Sequence, residues 1–327
     1  MKNNKLPIQL NLFQSSQKLN LSETYEGIPK DISKNDPRIK WINEDIAESV
    51  ERPFTIGGIT YLSEISPANF KSKKTKKFQS HFPDVREARI EYAIISLAAK
   101  HVMDIDTDNE DNKIFLLKTT YYRIQKEIVT AIGRQSNREV KVENCPYNVS
   151  EIKEALEVLK KTNISVTDAN KKSVYHFTRI KDVYMEESKI VIELGNMITN
   201  YITSGDWRVT NSASILASSS KYELKLRVLL NLKFIYASKN KAYSPSLTLL
   251  IEKLGFIENK EKRITLQKMV KLVSSLDEVE RIEVDKKYDG RKIIDAILHI
   301  YPTEDFISEM IENNKLRSRV NKYIEND

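Results

Sequence analysis

Polar and basic side chains recur along one side of a predicted helix near the carboxyl end of the chain. In residues 262–276, the inward side is marked by the apolar residues Leu266, Met269, Val270, Val273 and Leu276. The same spacing predicts that the other side faces outward and carries Thr265, Gln267, Lys268, Lys271, Ser274 and Ser275. Gln can pair with adenine, Lys with guanine, and Thr or Ser with several base edges or phosphates. No Asp or Glu occurs between Thr265 and Ser275, which suits approach to a polyanion; a solvated helix face is the alternative.

A hairpin with a basic tip is predicted to follow this helix. Residues 279–302 alternate in polarity on both sides of Asp289-Gly290, which predicts two strands joined by a type I′ turn with positive φ at both central residues. The tip carries Lys286, Lys287, Arg291 and Lys292. Such a tip can reach a minor groove or lie along a DNA backbone. An ordinary surface hairpin is the alternative, and the segment also carries carboxylates at Asp277, Glu278, Glu280, Glu283 and Asp285.

The neighbouring elements predict a winged helix around this helix and hairpin. Residues 246–254 predict a short helix that ends at Gly255. Residues 220–237 predict a buried central helix, because they are apolar on more than one face. Residues 302–324 predict a last helix with Thr303 as its N-cap. A helix held on a helical scaffold and flanked by a basic hairpin commonly enters the DNA major groove.

The same order of elements is predicted earlier in the chain. A helix begins near Val85, a second spans 119–132 with Thr119 or Thr120 as N-cap, and a third spans 151–161 behind Asn148 or Ser150. A strand at 113–118 separates the first two helices, and strands at 163–167, 173–185 and 189–194 follow the third. The shared order predicts an internal duplication; two unrelated α+β domains are the alternative.

The third helix of this first unit is the weaker candidate for DNA recognition. Its polar side alternates between acidic and basic residues, namely Glu151, Lys153, Glu154, Glu157, Lys160 and Lys161. Carboxylates near the groove repel phosphates unless they accept from cytosine. We therefore expect the first unit to make protein contacts, or to contact DNA more weakly through Arg134, Arg138, Arg179 and Lys181.

Residues 1–80 predict a partly disordered N-terminal arm, rich in Pro, Asn and Ser. Within it, residues 54–62 alternate like a strand or hairpin, and the lysine run 71–77 predicts either a solvated linker or a phosphate contact. Near the start, the pentapeptide with Gln9, Leu10, Leu12 and Phe13 resembles the motif that binds the bacterial sliding clamp. In that motif the Gln side chain fits a polar notch, and the Leu and Phe side chains fill an apolar pocket. A short strand folded onto the domain is the alternative.

Composition excludes several other classes of protein. The 327 residues carry a net charge of +7, with a pI of about 9.1, which favours a polyanionic partner. The single Cys145 excludes an intramolecular disulfide framework and fits a cytoplasmic protein. No apolar run predicts a membrane span or a signal peptide. The chain lacks a phosphate-binding loop, a zinc spacing, the paired histidines of rolling-circle nickases and a complete calcium loop at 104–111. We therefore expect no enzymatic activity, no cofactor and no metal.

Two segments resemble a known family. Residues 81–101 (HFPDVREARIEYAIISLAAKH) and 149–166 (VSEIKEALEVLKKTNISV) resemble the first winged-helix domain of plasmid replication initiators of the replication initiator A group, which bind repeated origin sequences called iterons. The resemblance covers residues 80–310 and implies two tandem winged-helix domains. It also implies binding to double-stranded origin repeats, opening of an adjacent AT-rich region, recruitment of the host helicase and a monomer–dimer equilibrium.

These inferences give one prediction for fold and function. The fold class is α+β, with an arm over residues 1–80, a first winged-helix domain over 81–200 and a second, the main DNA reader, over 201–327. The function is initiation of plasmid replication. A winged-helix transcriptional repressor is the alternative, favoured by a palindrome in a promoter rather than direct repeats beside the gene.

Overall fold

The chain divides into two compact units in a computed structural model that describes residues 18–71, 77–100, 104–106, 114–168, 174–186, 189–199 and 208–324. The first unit comprises residues 1–207 and 212–217, and the second comprises residues 208–211 and 218–327. Each unit combines helices with antiparallel sheet.

The first unit begins with β1 (Lys18–Leu21), α1 (Glu23–Gly27), β2 (Val50–Ile56), β3 (Ile59–Ile65), β4 (Ala68–Lys71), β5 (Phe78–His81) and α2 (Val85–Lys100). It continues with β6 (Asp104–Asp106), β7 (Ile114–Thr119), α3 (Tyr121–Gln135), α4 (Val149–Lys161), β8 (Ile164–Asp168), β9 (Val174–Phe177), β10 (Ile180–Glu186), β11 (Lys189–Leu194) and α5 (Ser212–Ala217). One four-stranded sheet has the order β2-β3-β8-β9, a second has the order β10-β11-β7-β6, and β4 pairs with β5.

Local sequence explains where the three main helices of this unit lie. The predicted apolar stripe of α2, which runs through Ile90, Ala93, Ile94 and Leu97, is buried. Thr120 caps α3, because its hydroxyl accepts from the Arg123 amide. Asn148 caps α4 in a reciprocal capping box with Glu151. These caps satisfy amides that the first turn of a helix leaves without partners.

Much of the segment that we assigned to an arm is folded into the first unit. Residues 54–62 form the predicted hairpin, with Gly57 and Gly58 in the turn between β2 and β3 at positive φ. A small core joins Ile32, Ile39, Ala47, Val50, Ile65 and Phe82. The segment shows little helical periodicity because it folds as short strands and turns, in which alternation over a few residues is the only periodic signal.

The second unit contains β12 (Arg208–Asn211), α6 (Lys221–Lys233), α7 (Leu247–Leu254), α8 (Lys262–Ser274), β13 (Val279–Asp289), β14 (Lys292–Pro302) and α9 (Glu304–Ile324). Helix α6 is buried on several sides, at Leu224, Leu226, Val228, Leu229 and Leu230, as its all-round apolar sequence predicts. One core unites α6, α7 and α8 with the inner face of the β13–β14 hairpin and with Phe306 and Met310 of α9.

The boundaries of these elements follow from capping residues. Ser246 caps α7, and Gly255 ends it in the left-handed conformation with φ of 62°. The Thr303 hydroxyl accepts from the Phe306 amide at the start of α9. The backbone of Tyr243 pairs with that of Ile300, which places a short extended segment beside β14.

Both units contain the elements of a winged helix. In the second unit the order is helix, short extended segment, two helices and a hairpin. In the first unit α2, β7, α3 and α4 lead to the β10–β11 hairpin, where β11 pairs with β7, and β8 and β9 are inserted between α4 and β10. The predicted α+β fold class with two winged-helix units is confirmed.

Candidate nucleic-acid interface

Helix α8 presents a polar, basic surface to solvent. Leu266, Met269 and Val273 are buried in the core of the second unit, and Leu276 beyond the helix joins them. The opposite side exposes Gln267, Lys268, Lys271 and Ser274. Ser275 of the predicted set is also exposed, at the C-cap, where its hydroxyl donates to the Leu272 carbonyl. The apolar positions therefore orient the helix as its periodicity predicts. Contact between these four side chains and DNA stays a prediction.

Thr265 corrects the predicted surface. We expected this side chain to point outward, but it is 0% exposed and its hydroxyl accepts a hydrogen bond from the Asn259 amide at 2.9 Å. The physical reason is helical spacing: Thr265 precedes Met269 by four residues and Val273 by eight, so it belongs to the packed side. Thr265 anchors the chain that enters α8 and does not reach DNA.

Arg263 was absent from the predicted outward set. It is exposed in the first turn of α8, four residues before Gln267 and eight before Lys271, so the three lie on one side of the helix. The same spacing argument that removes Thr265 adds Arg263. We define the recognition surface as Arg263, Gln267, Lys268, Lys271 and Ser274.

The cations of the recognition surface are not neutralised within the protein. Among the described residues, none forms an ion pair with Arg263, Lys268 or Lys271, whereas the neighbouring Lys262 pairs with Glu258 at 3.6 Å. An exposed cation that has no internal partner can displace counterions from a phosphate backbone at no cost in broken ion pairs. The surface therefore suits an anionic polymer.

The β13–β14 hairpin extends the basic character to a loop tip. Asp289 pairs with Lys292, so the two-residue connection is Gly290-Arg291 rather than the predicted Asp289-Gly290. Gly290 has φ of 58°, and Asn137 is the one described non-glycine residue with positive φ, so the predicted type I′ geometry is wrong. A glycine at the first central position is the requirement of a type II′ turn, which also matches the twist of a hairpin.

The tip and the strands of this hairpin differ in how their charges are paired. Lys286, Lys287, Arg291 and Lys292 are all exposed, and within the described part of the chain no carboxylate pairs with them. Lower on the strands, Glu283 accepts from Tyr301 and pairs with Arg281, both at 3.1 Å, and Asp285 lies 3.0 Å from His299 Nε2. Glu283 and Asp285 thus have internal partners, and the four basic side chains of the tip outnumber its one carboxylate, Asp289.

At the base of the hairpin, Arg227 is a buried cation that lies beside two carboxylates. The buried Arg227 guanidinium lies 3.1 Å from Glu223 and 3.5 Å from Glu278. Burial raises the pKa of Glu278 above its ordinary value, although the Arg227 charge opposes that shift. Because Glu278, Glu283 and Asp285 have partners of their own, the acidic residues of this segment neutralise less of the charge at the tip than their number implies.

The predicted DNA contact of Arg179 is wrong. The side chain is 0% exposed and its guanidinium bonds to Asp31 and Glu91, each at 2.8 Å, and to the Lys30 carbonyl. Burial alone would lower the pKa of Arg179, but these carboxylates outweigh it and raise the pKa above its usual value. Around it, the Tyr25 hydroxyl donates to Glu91, and Tyr92 donates to Glu26. Arg179 is therefore part of a buried network that joins residues 25–31 to α2.

The other predicted residues of the first unit lie at the surface. Lys181 is exposed and pairs with Glu193 at 2.6 Å. Arg134 and Arg138 are exposed beside a groove at the carboxyl end of α3. The clamp-like residues Gln9, Leu10, Leu12 and Phe13 lie outside the described residues. Among the described residues, no cluster of His, Cys, Asp and Glu is arranged to hold a metal ion, and no helix is long and apolar enough to cross a membrane.

Comparisons with known proteins give distant structural similarities. No family model matches the chain, and no curated protein is significantly similar to it in sequence. A crystal structure of domains 2 and 3 of RctB aligns at 10% identity over 85% of this chain and 97% of that one, with a TM-score of 0.49. A second RctB structure of domains 2–3 aligns at 10% identity over 84% and 98%, with a TM-score of 0.44. Pi initiator protein in complex with iteron DNA aligns at 16% identity over 68% and 92%, with a TM-score of 0.44. Similarities of this size support no conclusion about activity.

Proposed function

We propose that this protein binds double-stranded DNA in a sequence-specific manner through the second winged-helix unit. The observation that carries the proposal is the recognition surface of α8: Arg263, Gln267, Lys268, Lys271 and Ser274 are exposed together, and no acidic residue occurs within α8. Arg, Lys and Gln are the side chains that make paired hydrogen bonds to guanine or adenine in the major groove. The buried residues Leu266, Met269 and Val273 determine that this side of α8 faces solvent.

The hairpin tip adds contacts that do not depend on sequence. When the helix of a winged-helix unit occupies a major groove, the hairpin beside it is near the flanking backbone. The Lys286, Lys287, Arg291 and Lys292 side chains extend the charged surface beyond the helix. Base contacts from α8 then supply specificity, and phosphate contacts from the tip supply affinity that falls as salt rises.

We propose further that the DNA is a set of repeated sequences at a plasmid origin, and that the protein initiates replication there. Support comes from the resemblance of residues 81–101 and 149–166 to the first domain of such initiators. The same resemblance supports opening of an AT-rich region, recruitment of the host helicase and a monomer–dimer equilibrium in the cytoplasm. Gln9, Leu10, Leu12 and Phe13 add a proposed contact with the sliding clamp. Nothing in this mechanism requires an enzymatic step.

Footprinting on the DNA that flanks the gene tests the proposal. We expect protection of several direct repeats of one sequence. Protection of a single palindrome within a promoter would favour the repressor instead, and an absence of salt-dependent affinity for any duplex would contradict DNA binding altogether.

Charge reversal tests the assigned helix directly. In the double variant Lys268→Glu/Lys271→Glu, we expect affinity for the protected sequence to fall about a hundredfold, since two cations of the proposed DNA-facing surface become anions. The matched control is Lys315→Glu, an exposed lysine on α9 of the same unit, for which we expect a change within about twofold. If the double variant and the wild type bound this DNA with equal affinity, the proposal that α8 recognises the DNA sequence would be wrong.

A further inference from the structure

A groove on the first unit combines an apolar floor with a charged rim. It has a volume of about 810 Å³ and lies between α3 and the chain that follows that helix. Val129 lies at its floor with Val140 and Val142, which are only partly buried. The phenol ring of Tyr122 stands at the rim and is 56% exposed. An exposed aromatic ring beside an apolar depression is a typical anchor point of a protein interface.

Backbone geometry holds this groove open. The Arg138 amide donates to the Gly133 carbonyl at 2.9 Å, and Asn137 takes φ of 49°, which turns the chain back beside α3. A Cβ atom at Gly133 would lie 2.7 Å from the Arg138 carbonyl oxygen, so a glycine is needed for this close approach. The two walls are therefore tied by main-chain contacts, and the groove exists before any ligand binds.

The charged rim favours an anionic ligand. Four cations line the groove (Lys126, Arg134, Arg138 and Lys141) together with two glutamates (Glu139 and Glu143), which leaves a net charge of +2. Within the described part of the chain, none of these six side chains forms an ion pair. Arg134 lies in the last turn of α3 and Arg138 in the chain that follows, and each guanidinium can bind a carboxylate through paired hydrogen bonds.

Two features of the groove favour a peptide over a DNA duplex. Glu139 and Glu143 lie among the cations and would repel the continuous phosphates of a backbone, whereas the carboxylates of a peptide can be spaced to avoid them. The valine floor offers nothing to a phosphate but can bury an aliphatic or aromatic side chain. We propose that this groove is a docking site for an acidic peptide segment of a protein partner, with one apolar side chain on the valine floor. The proposal goes beyond DNA binding and does not depend on it.

Selection from a library of random 12-residue peptides displayed on phage tests the docking site. The full-length wild-type protein serves as bait, and the variant Arg134→Glu/Arg138→Glu serves for counter-selection. We expect enriched peptides to carry net negative charge and at least one Leu, Ile, Phe or Trp, and to bind the variant at least about tenfold more weakly. Peptides without negative charge or without an apolar residue would overturn the proposal, as would a selection that yields no groove-dependent peptide.

Controls separate the groove from misfolding and from DNA binding. Because all substituted side chains are exposed, the variants should keep the wild-type circular dichroism, and Tyr122→Ala should weaken peptide binding without any change of charge. Lys189→Glu, an exposed lysine of β11 away from the groove, should leave peptide binding intact. A duplex of unrelated sequence that displaces the peptides from wild-type protein would show that the groove binds DNA instead.

The experiments distinguish failure of the proposed peptide docking from failure of the proposed DNA binding by α8. Lys268→Glu/Lys271→Glu should bind the selected peptides as the wild type does, and Tyr122→Ala, which changes no charge, should bind the footprinted DNA within about threefold of the wild type. Loss of the peptides with intact DNA binding assigns the effect to the groove. An unchanged DNA affinity in the α8 variant rejects the proposed reader and leaves the groove proposal standing.

Discussion

Helices α4 and α8 occupy the same place in the order of their two units but use their cations differently. In α4, Lys160 pairs with Asp182 and Lys161 pairs with Glu157, while Lys153 lies 5.2 Å from the centre of the Tyr121 ring. In α8 the exposed cations have no such partner among the described residues. A cation that is already paired must break an internal contact before it can bind phosphate. The two helices thus differ both in the carboxylates that they carry, which α8 lacks, and in the pairing of their cations.

Buried arginines give a second contrast between the units. Arg179 in the first unit has two carboxylates at 2.8 Å, and Arg227 in the second has Glu223 at 3.1 Å with Glu278 at 3.5 Å. The first cluster is the tighter one, since both of its carboxylates lie at hydrogen-bonding distance. The Arg179 charge is therefore compensated by carboxylates at closer range than the Arg227 charge is.

The largest effect that we predict is the loss of Arg179. Replacement by Met leaves Asp31 and Glu91 buried without their cation, and this should lower the free energy of unfolding of the first unit by about 3–5 kcal/mol. The measurement is hydrogen exchange followed by mass spectrometry, with faster exchange in α2 and residues 25–31. Peptides from α6 and α8 serve as the internal reference.

A matched pair of variants gives this prediction its control. Lys181→Met removes an exposed cation two residues away and should cost no more than about 1 kcal/mol. The triple variant Arg179→Met/Asp31→Asn/Glu91→Gln should recover part of the loss, because neutral amides replace the unpaired carboxylates. If Arg179→Met and Lys181→Met destabilised the unit equally, the distinction between buried and surface charge would be wrong.

Neutralising the hairpin tip should produce the next effect in size. In Lys286→Ala/Lys287→Ala/Arg291→Ala/Lys292→Ala, we expect affinity to fall for all duplexes alike. The slope of log affinity against log salt should also decrease by about 0.9 for each phosphate that the variant no longer binds. Titrations of specific and random duplexes over a range of salt concentrations measure both quantities. A weakening confined to the specific duplex would assign base recognition, rather than backbone contact, to the tip.

Gln267→Ala should have a smaller and more selective effect. Gln267 lies between Arg263 and Lys271 on the exposed side of α8, where its amide can make paired hydrogen bonds to adenine. We expect a cost of about 1–3 kcal/mol for the footprinted sequence, with relaxed preference at one base pair, and no change for random DNA. Binding to a set of duplexes with each position varied identifies that base pair. Uniform weakening across the set would contradict direct readout by this residue.

Much of the fold was predictable because its determinants are local. Ser246 and Gly255 bound α7 by capping chemistry, and Thr120, Asn148 and Glu151 do the same for α3 and α4. The apolar spacing of α8 orients that helix correctly. Thr265 was wrongly included in the outward set and Arg263 was omitted from it, although the same helical spacing, applied to every position, predicts the side on which each lies.

The errors with no local remedy concern long-range contacts. Arg179 meets Glu91 and Asp31 across 88 and 148 residues of sequence, so its burial leaves no trace in its neighbours along the chain. The core of the described part of residues 18–80 also depends on long-range contacts, because it forms from single apolar residues in separate turns and strands. The groove beside α3 also depends on how Gly133 and Arg138 approach, which composition does not reveal. The sequence shows which residues are charged. It does not show that Arg179 is buried, because that depends on contacts with residues far away along the chain.

The smallest effect that we predict is the response of the Arg227 cluster to pH. Burial raises the pKa of Glu278 above its ordinary value of 4.5. A carboxyl whose pKa is higher in the folded state contributes stability below its unfolded pKa, and that contribution is lost as pH rises through the folded pKa. Glu278→Gln cannot ionise, so the stability of the variant relative to the wild type should increase as pH is raised from 4.5 towards neutrality. Hydrogen exchange of α6 and β13, corrected for intrinsic rates at each pH, measures this difference in the second unit, and α2 in the first unit should show none. Parallel pH profiles of the two proteins would mean that the Arg227 charge fully offsets the burial of Glu278, and the predicted pH dependence would be wrong.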